Sequence, residues 1–292
     1  MSFMVGCSNP PEAKSRIDLH PSFPSEFVDA RDVEVFLPRQ YFEKETTRFD
    51  VLYMHDGQNV FNASTAYGGV AWKADSILQD LMDKGTIRPA IIVAIWNNGM
   101  MRYNEYCPEK PFMQLDSAIR DSIDDEYGLK GNMMADEYLK FIVSEVKPFI
   151  DKTYRTQPEV EHTFIMGSSM GGLISSYALL EYPEVFGGAA CLSPHWPFSH
   201  SAGPHPFADV MIDYVVQKYD QAKDDHLLYF DLGTTTLDSL YPAHQARLDS
   251  LILSRYGSRP NYMSRTFEGA AHNEASWKER LEVPLTFLFG IR

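Results

Sequence analysis

Short apolar runs alternate with helical patterns along most of the chain, and this rhythm constrains the fold more than any other feature. Val51–Met54, Ala90–Ile95, Thr163–Met166, Gly188–Leu192, Leu227–Phe230 and Tyr262–Phe267 have the length of buried strands. Val33–Phe36 alternates apolar with polar residues and reads as an earlier, half-exposed strand. Between the runs, Trp72, Ile77, Leu78, Leu81 and Met82 share one face of a helical wheel. So do Tyr138, Ile142, Val146, Phe149 and Ile150, and so do Leu237, Leu240, Tyr241, His244, Leu248, Leu251 and Ile252. Such stripes are core. Strands and helices in this order imply an α/β fold with a mostly parallel central sheet and helices on both faces.

One stretch breaks the rhythm. From Asn97 to about Ala135 the chain runs through Gly, Pro and acidic clusters with little period. It leaves the carboxyl end of a strand, where open α/β sheets bind ligands, and is expected to be an irregular loop forming a pocket wall.

No linker, repeat or low-complexity tract divides the 292 residues, so residues 17–292 are expected to form one catalytic domain behind a flexible segment, residues 1–16. Hydrophobic residues make up 44% and charged residues 23%, the composition of a globular chain. The formal net charge of -14 repels phosphate backbones and argues against nucleic acid as a partner. Cys7, Cys107 and Cys191 form neither a CxxC pair nor a disulfide framework. Met4-Val-Gly-Cys7 is similar to the end of a bacterial lipoprotein signal, but the apolar stretch is too short for a signal core. A lipid anchor at Cys7, which would make the protein a periplasmic or envelope lipoprotein, and a chance match in a cytoplasmic one both stay open. No stretch reaches the roughly 18 apolar residues of a membrane-spanning helix.

The chemistry concentrates at residues 163 to 172, Thr-Phe-Ile-Met-Gly-Ser-Ser-Met-Gly-Gly. An apolar strand enters Gly167-Ser-Ser-Met-Gly171 and a helical pattern leaves it, which is G-x-S-x-G in the strand–turn–helix context it needs. The turn strains its central residue and lets close neighbours carry no side chain, while the helix start points N–H groups at developing negative charge. Ser169 is the candidate nucleophile. In this arrangement the acid and then the histidine follow the serine along the chain. Of nine histidines, His272 alone follows the last strand, in a Gly-containing loop that can carry an imidazole to Ser169. The acid should follow Leu227–Phe230, where Asp231 and Asp238 are both available. Either could instead serve as a helix cap.

An oxyanion needs preorganised donors. The N–H of Met170 is one candidate, and the N–H of Gln58, in the loop Met54-His-Asp-Gly-Gln58, is the other. His55 and His195 stand at strand ends and are candidate pocket residues, as are Arg102, Tyr103, Tyr106, Trp196 and Trp277; Phe112 lies in the same surroundings. Aromatic residues there suit a sugar face or a planar acyl group, and equally suit loop packing. Arg102 could pair with Glu105 or bind a carboxylate. His195, His200 and His205 are spaced too irregularly for a metal site, so no metal or cofactor is expected.

Taken together, Leu52-Tyr-Met-His-Asp-Gly-Gln-Asn59, Arg102-Tyr-Asn-Glu-Tyr-Cys-Pro108, Lys147-Pro-Phe-Ile-Asp151, Met166-Gly-Ser-Ser-Met-Gly-Gly172, Leu192-Ser-Pro194 and Gly269-Ala-Ala-His-Asn-Glu274 with Trp277 make the chain resemble the esterase D-like family of α/β-hydrolases. Its relatives include feruloyl and acetyl esterases, enterochelin-type esterases, S-formylglutathione hydrolases and mycolyl transferases. The resemblance runs from about residue 30 to the end. It implies the α/β-hydrolase fold, a cofactor-free hydrolase and a small-molecule ester substrate. Related chains often carry Glu in the Gly-Thr-containing acid loop, where this one has Thr234-Thr-Thr236. That departure shifts the triad acid to Asp238, which the Leu-Asp-x-Leu-Tyr run of similar chains retains.

The leading expectation is therefore carboxylic ester hydrolysis through an acyl-enzyme. Acyl transfer to an alcohol or sugar shares its first half-reaction. A binding module on a decayed site is the third reading, and the intact serine and histidine argue against it. The oligomeric state is not legible.

Overall fold

The computed structural model describes residues 13–200, 202–219 and 225–291; Cys7 lies outside them. Its sheet has eight strands: β1 Arg16–Phe23, β2 Arg31–Leu37, β3 Asp50–Met54, β4 Ala90–Ile95, β5 Thr163–Ser168, β6 Gly188–Leu192, β7 Leu227–Leu232 and β8 Tyr262–Thr266. They lie in the order β1-β2-β4-β3-β5-β6-β7-β8. β1, β2 and β4 pair antiparallel, and every pair from β4 to β8 is parallel. This is the α/β-hydrolase architecture, with the mostly parallel sheet that the apolar rhythm implies.

Strands β3 to β7 are buried along their whole length, which is why they read as unbroken apolar runs. Alternation sends their side chains into two cores. On one face Val51, Tyr53, Ile91, Val93 and Ile165 pack with the helices Ala135–Phe141, Met170–Glu181, Pro206–Tyr219 and Pro242–Tyr256. On the other, Leu52, Met54, Ile92, Phe164 and Met166 pack with Ala74–Asp83 and the last two helices, Glu274–Arg280 and Glu282–Phe289. Among the described residues no helix is long and apolar enough to cross a membrane.

Three expectations need correction. β8 is not buried: it pairs only with β7, at the sheet edge, and none of its residues is fully covered. β1 is not among the expected strands, and it begins inside the segment expected to be flexible. Ile17 and Leu19 do alternate with Asp18 and His20, but the run is broken by Pro21; both apolar side chains are exposed, and backbone pairing with β2 holds the strand. The stretch from Asn97 to Ala135 is not an irregular loop. It contains helices at Arg102–Tyr106, Glu109–Phe112 and Ser117–Tyr127. The first two are too short to show a period. The third repeats Ile119, Ile123 and Tyr127 every four residues, but only Ile123 is fully buried, and charges mask the stripe.

Because β3 to β8 are parallel, their carboxyl ends lie along one edge of the sheet. The segments that follow them, at residues 55–59, 97–103, 169, 193–195, 233–238 and 267–272, are thus brought to a common rim.

Candidate active site

β5 ends at Ser168, the helix begins at Met170, and Ser169 between them has φ 57° and ψ -122°. A non-glycine residue pays strain in this region, of order 1–3 kcal/mol, and the surroundings must hold it there. The Ser169 N–H donates to the Leu192 carbonyl at 2.9 Å, and its carbonyl accepts from the His195 N–H at 3.2 Å. Gly167 allows the turn to close: a Cβ there would stand 2.7 Å from the Gly171 carbonyl oxygen. Met170 heads the helix, so its N–H is one of the first-turn donors without an intrahelical partner.

His272 reaches this turn from the loop after β8. Its Nε2 is 2.9 Å from Ser169 Oγ, and its Nδ1 is 2.5 Å from Asp238 Oδ1. The ionised carboxylate only accepts, so it selects the tautomer with the proton on Nδ1, and Ser169 Oγ then donates to Nε2. The two loops are tied together. Thr234 and Thr235 N–H groups donate to the Ala270 carbonyl, and the His272 N–H donates to Thr236 Oγ1 at 2.8 Å. Asp238 is fully buried, and Ser193 Oγ (2.6 Å) and the Gly233 N–H (2.5 Å) donate to its Oδ2. Burial acts to raise its pKa, but the bonds and charge from His272, with the other two donors, hold it below the ordinary carboxylate value.

Asp231 ends in a different place. It is buried at the end of β7, accepts from Arg280 Nη2 at 2.8 Å and from Tyr229 Oη at 2.9 Å, and makes no bond to His272. Burial outweighs Arg280 and leaves its carboxyl above the ordinary value.

The loop after β3 lies on the other side of Ser169. Asp56 has φ 55°, and Gly57–Asn59 form a short 3-10 turn with Gln58 in its first turn. Gly57 packs directly on β4: a Cβ would stand 2.7 Å from the carbonyl carbons of Ala94 and Ile95. Asp56 takes two bonds of 2.7 Å from Arg102 and one of 2.7 Å from Asn97 Nδ2. Arg102 therefore pairs with Asp56, not with Glu105. Glu105 is buried against Arg31, at 2.6 and 2.7 Å.

These elements enclose a cavity of about 510 Å³. Ser169, Met170, His272, Gln58, Arg102, Tyr103, His195 and Trp277 all line it. His55, Tyr106, Phe112 and Trp196 do not; they are buried behind its wall. His55 Nδ1 meets Tyr138 Oη at 2.8 Å, Tyr106 Oη accepts from the Asp56 N–H, and Trp196 Nε1 donates to Gln245. The Tyr106 and Trp196 polar atoms are thus taken up by the scaffold, whereas His55 Nε2 is buried without a partner among the described residues. His195 is clamped between Tyr127 Oη at 2.9 Å and Tyr241 Oη at 2.7 Å, and burial pushes its imidazole well below its usual pKa. Among the described residues no group of three or more His, Cys, Asp or Glu is placed to hold a metal ion.

A family model described as "Putative esterase" matches residues 25–287. The chain belongs to this esterase family. An endo-1,4-beta-xylanase/feruloyl esterase of Xylanibacter ruminicola is 28% identical over 162 residues, 54% of this chain but 19% of that protein. YbbA of Bacillus subtilis is 23% identical over 172 residues, 59% of this chain and 60% of its own. The matches thus span less than two thirds of either relative. Among solved structures, a ferulic acid esterase superposes with a TM-score of 0.69 at 18% identity, covering 96% of this chain and 99% of that one. At that identity the likeness speaks for the fold.

Asn97, at the start of the expected pocket wall, lines the cavity, which also contains residues not expected there: Tyr67, Leu237 and Glu274. Tyr67 is 78% exposed at the rim. Burial raises the carboxyl of Glu274, and the charge of Asp56 across the cavity adds to this. Glu274 lies two positions beyond His272 and closes the Gly269-Ala-Ala-His-Asn-Glu274 run, the signal that could have marked it.

Proposed function

We propose that this esterase cleaves carboxylic esters through an acyl-enzyme, with Ser169 as nucleophile, His272 as general base and acid, and Asp238 as the residue that orients and stabilises the imidazole. The observation that carries the reading is the continuous line from Asp238 through His272 to Ser169, at 2.5 and 2.9 Å, on a strained turn that opens into a cavity. Ser169 Oγ attacks the ester carbonyl as its proton passes to His272 Nε2. The N–H groups of Met170 and Gln58 receive the developing oxyanion. The intermediate collapses, the C–O bond breaks, and His272 returns the proton to the departing alcohol. Water, activated by the same nitrogen, then releases the acid and regenerates Ser169.

Hydrolysis is favoured over acyl transfer by the family, whose model is described as an esterase. Gln58, Asn97, Arg102 and Glu274 stand among the apolar walls of the cavity and leave polar footing for the water that hydrolysis needs. Tyr67, Tyr103 and Trp277 on the walls suit a planar acyl group, and the names of the feruloyl and ferulic acid esterases point the same way. A screen over short-chain acyl, acetyl-sugar, feruloyl, formyl-thioester and catecholate esters tests the reading, run with the parent and Ser169→Ala. Turnover of at least one ester by the parent and of none by the variant is expected. Undiminished turnover in Ser169→Ala removes the proposal.

A further inference from the structure

Ser193 follows β6 directly, and its backbone is in the left-handed region, with φ 41°. A serine is costly there, and the fold holds it in place: its N–H donates to the Asp231 carbonyl at 2.8 Å and lies 3.2 Å from Asp231 Oδ1. The hydroxyl is fully buried. Three groups surround it: Arg280 Nη2 at 2.7 Å, Trp277 Nε1 at 3.1 Å and Asp238 Oδ2 at 2.6 Å.

The direction of these bonds follows from the chemistry of the groups. A hydroxyl has one proton and two lone pairs. Guanidinium and indole N–H groups only donate, so Arg280 and Trp277 take both lone pairs. The proton has one acceptor left, the carboxylate of Asp238. The cation on the far side of the oxygen polarises the O–H and makes it a stronger donor.

We propose that Ser193 is a positioning residue that ties Asp238 to the buried Asp231–Arg280 ion pair and so fixes the oxygen that faces His272; this rests on the catalytic reading of Ser169, His272 and Asp238 given above. Ser193 and Gly233 hold Oδ2, which leaves Oδ1 aimed at His272 Nδ1. Trp277 supports the same line from the side, with its ring edge-on to His272 at 4.9 Å. Without the hydroxyl the carboxylate can turn about its last bond, and the imidazole loses its fixed tautomer for part of the time.

The test compares Ser193→Ala and Ser193→Gly with the parent on a p-nitrophenyl ester across pH. Both variants remove the hydroxyl and leave Arg280 paired with Asp231. Glycine also accepts the positive φ, so it guards against a folding loss in the alanine variant. Losing a charge-assisted bond at the triad acid should lower kcat about 10- to 100-fold with KM within about two-fold. The acid limb of kcat/KM reports the ionisation of the triad, so it moves when the carboxylate is no longer fixed. A kcat within about two-fold of the parent overturns the proposal. A lower kcat with an unmoved acid limb, in a protein that melts earlier, marks a merely structural role and also overturns it. Ser169→Ala, measured alongside, keeps the two readings apart. If that variant is inactive while the Ser193 variants turn over normally, only the role of Ser193 fails.

Discussion

Asp231 and Asp238 bind opposite ends of one residue. Asp231 accepts from the backbone N–H of Ser193, Asp238 accepts from its hydroxyl, and only Asp238 goes on to His272. Two neighbouring buried carboxylates thus have different tasks. Asp238→Asn should lower kcat by about 10⁴, because an amide cannot hold the imidazole in the working tautomer. Asp231→Asn should instead lose stability, on the order of 3–5 kcal/mol, since it leaves Arg280 as a buried charge without its counter-ion. Chemical denaturation and steady-state kinetics on the two variants separate the roles. The reverse pattern, with Asp231→Asn inactive but stable, would exchange the assignments.

The proposed oxyanion donor at Gln58 is a backbone group, so it is reached through Gly57. A Cβ at position 57 would stand 2.7 Å from the backbone of β4, and the loop must shift to accept it. Gly57→Ala should therefore displace the Gln58 N–H and lower kcat about 10²- to 10³-fold, with a smaller effect on KM. An unchanged kcat in a folded Gly57→Ala protein rules out Gln58 as a donor.

The strain at Ser169 gives a stability prediction independent of substrate. Glycine tolerates φ 57°, and alanine does not. Ser169→Gly should be more stable than Ser169→Ala by about 1–2 kcal/mol, although both lack the nucleophile. Equal melting temperatures would mean that the turn is not strained.

His55 makes stability depend on pH. Burial is the main cause that takes its pKa from the ordinary 6.5 down to about 3, with Arg102 acting in the same direction and Asp56 opposing. Between these values the unfolded chain binds a proton that the folded chain refuses. Stability is therefore lost as pH falls through this window, at up to about 1.4 kcal/mol per pH unit. The carboxylates of Asp56 and Asp238 are held below their ordinary 3.8, so their contribution is present above that value and lost only below it. His55→Gln should flatten the slope of stability against pH between about 4 and 6.5 by close to one proton. Parallel slopes for the parent and the variant would show that His55 does not stay neutral.

The strand rhythm and the elbow were legible because each depends on neighbours in the chain. A strand buried on both faces is mostly apolar, as β3 to β7 are apart from Asp50, Thr163, Ser168 and Asp231 near their ends. A strand–turn–helix elbow must have small residues at fixed offsets around Ser169. Chain order then singled out His272, and the departure in the acid loop pointed to Asp238. The segments that misled were those where apolar signal and burial part company. β1 alternates Ile17 and Leu19 with polar residues yet leaves both exposed, held by backbone bonds to β2, and β8 lies only partly covered at the sheet edge. The helices between Asn97 and Ala135 are short, or carry charges over a single buried side chain.

What the tertiary structure alone decided is the pairing of polar groups distant in sequence. Nothing local tells Arg102 to take Asp56 and leave Glu105 to Arg31. Nothing local sends His55, Tyr106 and Trp196 behind the pocket wall while Tyr67 and Glu274 line the cavity. The same holds for the hydroxyl of Ser193, with Asp238 on one side and Arg280 on the other. An apolar side chain is driven inward by its own surface, which can be read one residue at a time. A buried polar atom must find a partner of matching hydrogen-bonding sense, and the identity of that partner is fixed only when the whole sheet has assembled.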